Sequence, residues 1–170
     1  MSLALARWNA LPSDQAEKEI LPCCGSHAWT RALAALRPYE DVATLLATSD
    51  RIWRGLSAED WMEAFRSHPR IGETPAQGES SGRSAQWSKQ EQSRAEASPV
   101  SLKLALVDGN REYEKKFGHI FIICATGKSA AEILQNLQRR LNNDAVRELQ
   151  EAAEEQRQII QIRVKKWLTE

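Results

Sequence analysis

Residues 119–124 read HIFIIC, the most strand-like run in the chain, and its isolation decides the fold class. No other segment alternates apolar and polar residues over a useful length with the period of two that marks a half-buried strand. A lone strand has no sheet to join, because stable sheets need several strands. We therefore predict an all-α, single-domain compact helical bundle in which 119–124 is a buried, extended connector. Its amide groups must then bond to side chains or to a ligand.

Helices are predicted on both sides of this connector. The helix before it shows one apolar face, made by Leu102, Leu106, Tyr113 and Phe117. Gly118 can end that helix in a left-handed conformation. After the connector, SAAE at 129–132 has the Ser-x-x-Glu form of a capping box and opens a helix to about Leu141.

The longest predicted helix closes the chain. Its apolar residues recur at intervals of three and four and are Val146, Leu149, Ala153, Ile160, Val164 and Trp167. Arg163 lies on or beside this stripe, where a buried carboxylate or a bound anionic ligand would each explain a guanidinium group. The sequence leaves both explanations open.

The first sixty residues carry further helix signals. These are a Ser13 cap for a helix to about Leu21, a Ser26 cap for a helix ended by Arg37-Pro38, a short helix at 41–49, and a capping box SAED at 57–60. The last of these helices leads into RSHPRIGE at 66–73. Pro69 disfavours the helical region for the residue before it, so His68 is held where the helix stops. An imidazole there either complements the carbonyl end of the helix dipole or serves in chemistry.

The segment after this histidine combines a loop signal with a second helix start. Residues 74–86 are rich in Pro, Gly and Ser with almost no apolar content, which predicts a surface loop inside the domain. SKQE at 88–91 has capping-box form and predicts a helix that starts at Ser88 and breaks near Pro99. In such a box the Glu91 carboxylate can bond back to the cap amide, so a structural role competes with a chemical one.

Composition bounds the class of protein. The chain has 170 residues and a net charge of +0, which fits one domain over 1–170 and gives no long-range field for nucleic acid or a membrane surface. No window approaches eighteen apolar residues, and the N-terminus lacks the features of a secretory signal. Three cysteines, Cys23, Cys24 and Cys124, form a poor disulfide framework, so we expect a soluble protein in a reducing compartment.

Several catalytic and binding motifs are absent from the sequence. TGKS at 126–129 ends like a phosphate loop, but Ile122 stands where that motif needs its first glycine. The histidines, His27, His68 and His119, have no HExxH or Cys-x-x-Cys companion, so no metal site is predicted. There is no G-x-S-x-G elbow, and Cys24 and Cys124 are interpreted as buried small residues rather than nucleophiles.

Seven fragments together resemble one known family. In chain order they are NALP at 9–12, CCGSHAW at 23–29, RPYED at 37–41, DWMEAFRSHPRIGE at 60–73, WSKQEQS at 87–93, NREYEKKFGHIFIICATGKSAAEIL at 110–134 and LQEAAEEQRQIIQIRVKKW at 149–167. This combination resembles the 2-oxo-4-hydroxy-4-carboxy-5-ureidoimidazoline (OHCU) decarboxylase family over nearly the whole chain. HPRIG, SxxEQ and FGxxFIxCAxGKSA at these separations are its specific signature.

The resemblance implies a compact helical bundle that converts OHCU to (S)-allantoin and CO₂ without a metal or an organic cofactor. It implies that His68 and Glu91 are catalytic. The substrate-binding residues it implies are Pro69, Ser88, Gln92, Phe121, Ile122, Ile123, Cys124, Ala125 and Arg163. The implied partner is the small-molecule substrate, with no nucleic acid or membrane, in a monomer or homodimer. The role of His119 stays open.

Two other functions remain as alternatives. One is a non-catalytic helical interaction module that docks through the last helix, for which His68 would not matter. The other is an enzyme of the same fold acting on a related ureido compound, since fold alone does not set the substrate. The chain ends in WLTE and lacks a Ser-Lys-Leu signal, so the sequence favours a cytoplasmic location.

Overall fold

A computed structural model of the chain describes residues 2–72, 82–96 and 98–170, and these residues form the predicted all-α fold. The helices are α1 (Leu3–Ala10), α2 (Ser13–Ile20), α3 (His27–Ala35), α4 (Val42–Arg54), α5 (Ala58–Arg66), α6 (Gly82–Glu91), α7 (Ser93–Glu96), α8 (Val100–Phe117), α9 (Ala130–Arg140) and α10 (Ala145–Trp167), with a 3₁₀ turn at Leu21–Cys23. By their contacts, the residues divide into two compact units. The single domain over 1–170 stays a prediction.

The first unit contains Met1–Ala64 and Arg157–Glu170. Its core is built around buried tryptophans, whose indole N–H groups find acceptors. Trp8 donates to the carbonyl of Ala16 at 2.9 Å, and its ring meets that of Trp167 edge to face at 5.6 Å. Buried indoles placed in this way contribute large apolar area without leaving a donor unsatisfied.

The second unit contains Phe65–Gln156 and is centred on the packing of α8 against α9. Leu106, Tyr113, Ile133 and Leu137 are fully buried in its core. Gly109 lets the two helices approach closely, because a Cβ at that position would lie 2.3 Å from Cδ2 of Leu137. The chain passes from α8 to α9 through residues that are neither helix nor strand. Within the predicted connector 119–124, Phe121–Cys124 are buried, whereas His119 and Ile120 are only partly buried.

Most of the predicted helix ends are confirmed by their hydrogen bonds. The side chain of Ser26 accepts from the amide of Trp29, and Ser57 and Asp60 bond reciprocally at the start of α5. Ser129 and Glu132 form a capping box. Gly118 ends α8 with a φ of 76°, in the left-handed region.

Other expectations about the helices are wrong in detail. Pro12, not Ser13, precedes α2, and α4 extends to Arg54, well beyond the predicted 41–49. Val146 was predicted in the buried stripe of the last helix but is 70% exposed, because it lies in the first turn, before the face of α10 that packs. Of the predicted loop at 74–86, residues 82–86 belong to α6, and 74–81 lie outside the described residues.

None of the helices in the described part of the chain combines the length and the apolar character that a membrane span requires.

Candidate active site

Residues Phe121–Ala125, which are the buried part of the connector and the residue that follows it, form the centre of the candidate site. All five are buried, with 2–5% of their surface exposed. Arg140 Nη1 donates to the carbonyl of Ile122 at 2.7 Å. The Cys124 amide donates to Glu155 Oε2 at 2.7 Å, and Lys128 Nζ donates to the Cys124 carbonyl at 2.6 Å. The sequence predicted that side chains or a ligand would satisfy this buried backbone in place of a sheet, and for these groups the partners are side chains.

A cluster of buried charged and polar side chains contacts the connector through Arg140. Arg140 is 1% exposed and Glu148 0%, and the Arg140 Nε and Nη2 atoms lie 2.9 and 2.6 Å from Glu148 Oε1. Asn143 donates to the other carboxylate oxygen at 2.8 Å, and the Tyr113 hydroxyl donates to Oε1. Burial raises the pKa of Tyr113 well above its usual range, so the phenol keeps the proton that it donates. The guanidinium carbon of Arg140 lies 4.6 Å from the centre of the Phe121 ring.

His68 lies just after α5, as the proline beside it predicts. Its backbone amide donates to the carbonyl of Phe65 at 3.1 Å, and its Nε2 atom is buried. The ring of Phe65 lies 5.3 Å from that of His119, and His119 Nδ1 lies 2.9 Å from the carbonyl of Ile120. Through these contacts the end of α5 is joined to the start of the connector.

His119 keeps its neutral form in this setting. Burial among the rings of Phe65, Tyr113 and Phe117 lowers its pKa from the ordinary histidine value, and this outweighs the opposing effect of the hydrogen bond to the Ile120 carbonyl. Because a carbonyl only accepts, the proton of the neutral ring is on Nδ1. His119 therefore packs and bonds locally at the edge of the connector.

The capping role that the sequence allowed for Glu91 is wrong. Helix α6 begins at Gly82, so Ser88 lies inside the helix and Glu91 is its last residue. Ser84, Trp87 and Ser88 are all buried, and burial of this face extends the helix backwards past the SKQE pattern. A carboxylate at the carboxyl end of a helix gains nothing from the helix dipole, which favours cations there.

Helix α7 is hydrogen-bonded to the turn that follows the connector. Arg94 Nη1 donates to the carbonyl of Gly127 at 2.5 Å. Burial raises the pKa of the Cys124 thiol, and the negative charges of Glu155 and Glu91 raise it further against the opposing charge of Lys128. The carboxylate of Glu91 thus contributes to the electrostatic environment of Cys124. The protonated thiol agrees with the interpretation of Cys124 as a small buried residue and not a nucleophile.

Arg163 belongs to the first unit and is fully buried. Its Nη1 donates to the carbonyl of Pro22 at 3.3 Å. Burial raises the pKa of the nearby Cys24 thiol far above its usual range, although the positive charge of Arg163 acts in the other direction. The remaining predicted site residues lie in the second unit and are His68, Pro69, Ser88, Glu91, Gln92, Phe121, Ile122, Ile123, Cys124 and Ala125.

Sequence reasoning missed the side chains that hold the connector. Arg140, Glu148, Glu155 and Lys128 were not singled out, and Tyr113 was counted as an apolar core residue. One signal was available: Arg140 continues the buried spacing of Ile133 and Leu137 along α9, which places a charge on an apolar face. A buried charge of this kind needs a partner.

No group of His, Cys, Asp and Glu side chains within the described ranges could hold a metal ion.

Comparison with known proteins gives consistent results. The sequence profile of the OHCU decarboxylase family matches residues 9–165. The uric acid degradation bifunctional protein TTL of Arabidopsis thaliana is 38% identical over 151 residues, which is 88% of this chain and 46% of the relative. The uric acid degradation bifunctional protein PucL of Bacillus subtilis is 30% identical over 140 residues, 81% of this chain and 27% of the relative. The chain thus spans less than half the length of these curated relatives.

Two solved structures are similar to this fold. The crystal structure of an OHCU decarboxylase in the presence of (S)-allantoin matches with a TM-score of 0.77 and 35% identity, over 89% of this chain and 98% of that one. The crystal structure of an (S)-allantoin synthase matches with a TM-score of 0.70 over 96% of this chain and 53% of that one. At 16% identity, the second likeness concerns the fold alone.

Proposed function

The chain belongs to the OHCU decarboxylase family, and on that premise we propose that it converts 2-oxo-4-hydroxy-4-carboxy-5-ureidoimidazoline to (S)-allantoin and CO₂. The observation that carries the proposal is the family match over residues 9–165, which includes His68, Glu91 and the connector. The likeness to a structure solved in the presence of (S)-allantoin supports the same substrate class.

The substrate explains how carbon–carbon cleavage can proceed with little assistance. The carbon that loses CO₂ also carries a hydroxyl group and lies next to a ring C=N bond. When the bond to the carboxylate breaks, its electron pair forms a C=C bond to the neighbouring ring carbon, and the C=N nitrogen takes the displaced pair and a proton. Since the substrate is its own electron sink, the reaction needs no metal or organic cofactor.

The enol formed in this way must then become the amide carbonyl of the ring. The hydroxyl proton leaves its oxygen, and a proton is added to the ring carbon that bears the ureido group. Both transfers suit a positioned group that titrates near neutrality, and imidazole is the side chain with that property. We assign His68 as the general acid and base, and Glu91 as the carboxylate that orients His68 or the substrate hydroxyl.

Formation of one enantiomer requires protonation from one face of the ring. A ring held by backbone groups of Phe121–Ala125 exposes a single face to His68, since peptide donors and acceptors fixed by buried side chains do not rotate with the ligand. Ser88 and Gln92 are assigned further substrate contacts and Pro69 a place in the pocket wall. Arg163 is assigned the substrate carboxylate, for which a guanidinium offers a bidentate fork.

We further propose a cytoplasmic location and a monomeric or homodimeric state. The three cysteines are free and buried, which supports a reducing compartment.

The test is to generate the unstable substrate from urate with the two preceding enzymes and to follow circular dichroism after adding this protein. We expect rapid growth of the signal of enantiomerically pure (S)-allantoin. A trace no faster than the spontaneous, racemic decay contradicts the proposal. If the protein instead accelerates turnover of a different ureido compound, the fold serves another substrate.

A further inference from the structure

Three charged side chains hold three successive peptide units of the connector. Arg140 bonds to the carbonyl of the Ile122–Ile123 unit at 2.7 Å, and Glu155 bonds to the amide of the Ile123–Cys124 unit at 2.7 Å. Lys128 bonds to the carbonyl of the Cys124–Ala125 unit at 2.6 Å. Each of these side chains therefore forms a hydrogen bond with a polar group of a different peptide unit.

When one polar group of a peptide unit is held by a side chain, the geometry of the peptide determines the direction of the other polar group. The connector's peptide bonds are trans, since the one cis bond in the described chain is Arg37–Pro38. In a planar trans peptide the C=O and N–H groups point in opposite directions. Arg140 therefore turns the Ile123 amide away from itself, and Glu155 turns the Ile123 carbonyl away from itself. The two charged side chains together set the direction of both polar groups of Ile123.

We propose that Arg140 and Glu155 are positioning residues, which aim the amide and carbonyl of Ile123 at the ring of the substrate. This rests on the proposed function of the site. In the extended backbone predicted for the connector, the N–H and C=O of one residue lie side by side, so Ile123 presents the same pair of bonds that a strand offers its neighbour. The ligand edge that matches it carries an adjacent N–H and C=O, as in a cyclic amide or a ureide.

The cluster behind Arg140 makes this orientation rigid. Glu148 takes two of its guanidinium nitrogens, and Asn143 and Tyr113 hold that carboxylate in turn. The remaining terminal nitrogen bonds to the carbonyl of Ile122, while the guanidinium carbon lies over the ring of Phe121 at 4.6 Å from its centre. The guanidinium group of Arg140 thus fixes the position of both the Ile122 carbonyl and the Phe121 side chain.

Stability alone does not account for such a cluster. Removing a buried ion pair and replacing it with apolar residues of similar volume is often neutral or stabilising, because two charges must lose their hydration to form the pair. A pair that serves only to hold the core together would therefore be replaceable. A pair in which one member directs a backbone carbonyl, as Arg140 does, would not be replaceable in this way.

The chain contains a matched control for this pair. Arg139 also lies on α9, also pairs with a glutamate of α10, Glu151, and is 51% exposed. Neither partner is buried, so this neighbouring ion pair has the same chemistry as Arg140 and Glu148 but lies nearer the surface. Its double replacement by Met reports the effect of losing an α9–α10 ion pair and one of the two acceptors of Asn143, while Arg140, Glu155 and Lys128 keep their bonds to the connector.

The experiment compares Arg140→Met/Glu148→Met with Arg139→Met/Glu151→Met. The buried double variant leaves no unpaired charge but deprives the Tyr113 hydroxyl and the Ile122 carbonyl of their partners, so we expect a folded protein with a lower melting temperature than the wild type. We expect its kcat to fall roughly ten- to a hundred-fold, since small misplacements of bound substrate have effects of that order. The surface double variant should keep both kcat and KM.

Glu155 gives a second comparison that does not depend on the buried pair. Glu155→Gln keeps an oxygen that accepts from the Cys124 amide and should retain most of the activity. Glu155→Met lacks the acceptor and should lose kcat, with faster exchange of the Cys124 amide proton in NMR. Wild-type kcat and KM in both Glu155→Met and the buried double variant overturn the proposal, even if their melting temperatures fall. If the buried double variant does not fold, the comparison of kcat and KM between Glu155→Met and Glu155→Gln tests the proposal by itself.

The same variants separate this inference from the proposed function. If the wild type does not accelerate decarboxylation, the proposed function fails, and binding of (S)-allantoin is measured by calorimetry instead. Weaker binding in Glu155→Met than in Glu155→Gln supports the positioning role. Equal binding in the two, or no binding by the wild type, overturns it.

Discussion

The imidazole of His119 meets the ring of Tyr113 edge to face, with 5.4 Å between the ring centres. The rings of Phe65 and Phe117 also contact His119, so water has little access to a charged imidazole at this position. Glu148, Arg140 and Glu114 are the charged groups that act on it, and burial outweighs them in lowering its pKa. This contact makes folding depend on pH.

We expect stability to fall as pH drops below about 6.5, the ordinary pKa of histidine. Between that value and the lower pKa of folded His119, the unfolded chain binds more protons, so the free energy of unfolding rises with pH in this window. The contribution of His119 is complete above the window and is lost as pH falls through the folded pKa.

Urea unfolding at pH 5 to 8 measures this dependence in the wild type and in His119→Gln. The variant should be less stable at neutral pH, since it loses the ring contacts, but should show a flatter pH dependence. Equal slopes for the two proteins would show that His119 titrates normally in the fold.

Replacing Glu91 by Gln should separate catalysis from stability. At the carboxyl end of α6 a negative charge is mildly unfavourable, so Glu91→Gln should unfold at the same temperature as the wild type or slightly above it. We expect a fall in kcat of roughly ten-fold or more if the carboxylate orients a proton transfer. A capping role would produce the reverse result, with lower melting temperature and unchanged kcat.

His68→Asn should abolish most of the catalysis. Positioned general acids and bases contribute about 10²- to 10⁴-fold, so we expect a loss of this order in kcat with near-normal folding. His27→Asn is the matched control, because His27 is an exposed imidazole paired with Glu63. Wild-type turnover in both His68→Asn and Glu91→Gln would show that the catalytic assignment is wrong.

Gln156→Met should stabilise the ligand-free protein. Gln156 is fully buried, and neither polar atom of its amide has a hydrogen-bond partner among the described residues. An unsatisfied buried group costs about 1–3 kcal/mol, and Met has a similar shape without that cost. In a chain of this length each kcal/mol raises the melting temperature by roughly 2–4 °C.

Gln161→Met is the control on the same helix. The Gln161 amide donates to Asp50 at 2.6 Å and to the carbonyl of Leu46 at 3.1 Å, so its replacement should destabilise the protein. Differential scanning calorimetry of both variants measures the contrast. A lower melting temperature for Gln156→Met would mean that its amide is satisfied in solution.

Prediction from sequence succeeded where a few neighbouring residues decide the structure. The caps at Ser26, Ser57 and Ser129 and the end of α8 at Gly118 each depend on contacts within one helical turn. The SKQE pattern failed because burial of Trp87 and Ser84 extends α6 through it. Tertiary packing thus overrode a local signal that was correct elsewhere.

For the candidate site, the sequence by itself determined the corner at His68, because Pro69 restricts the backbone before it whatever the surroundings. It also determined that residues 119–124, with no sheet to join, need partners from side chains or a ligand. Tertiary structure alone decided which partners: Arg140 is 18 residues from Ile122, and Glu155 is 31 residues from Cys124. Local spacing carries no information over such separations, since helix packing brings these groups together.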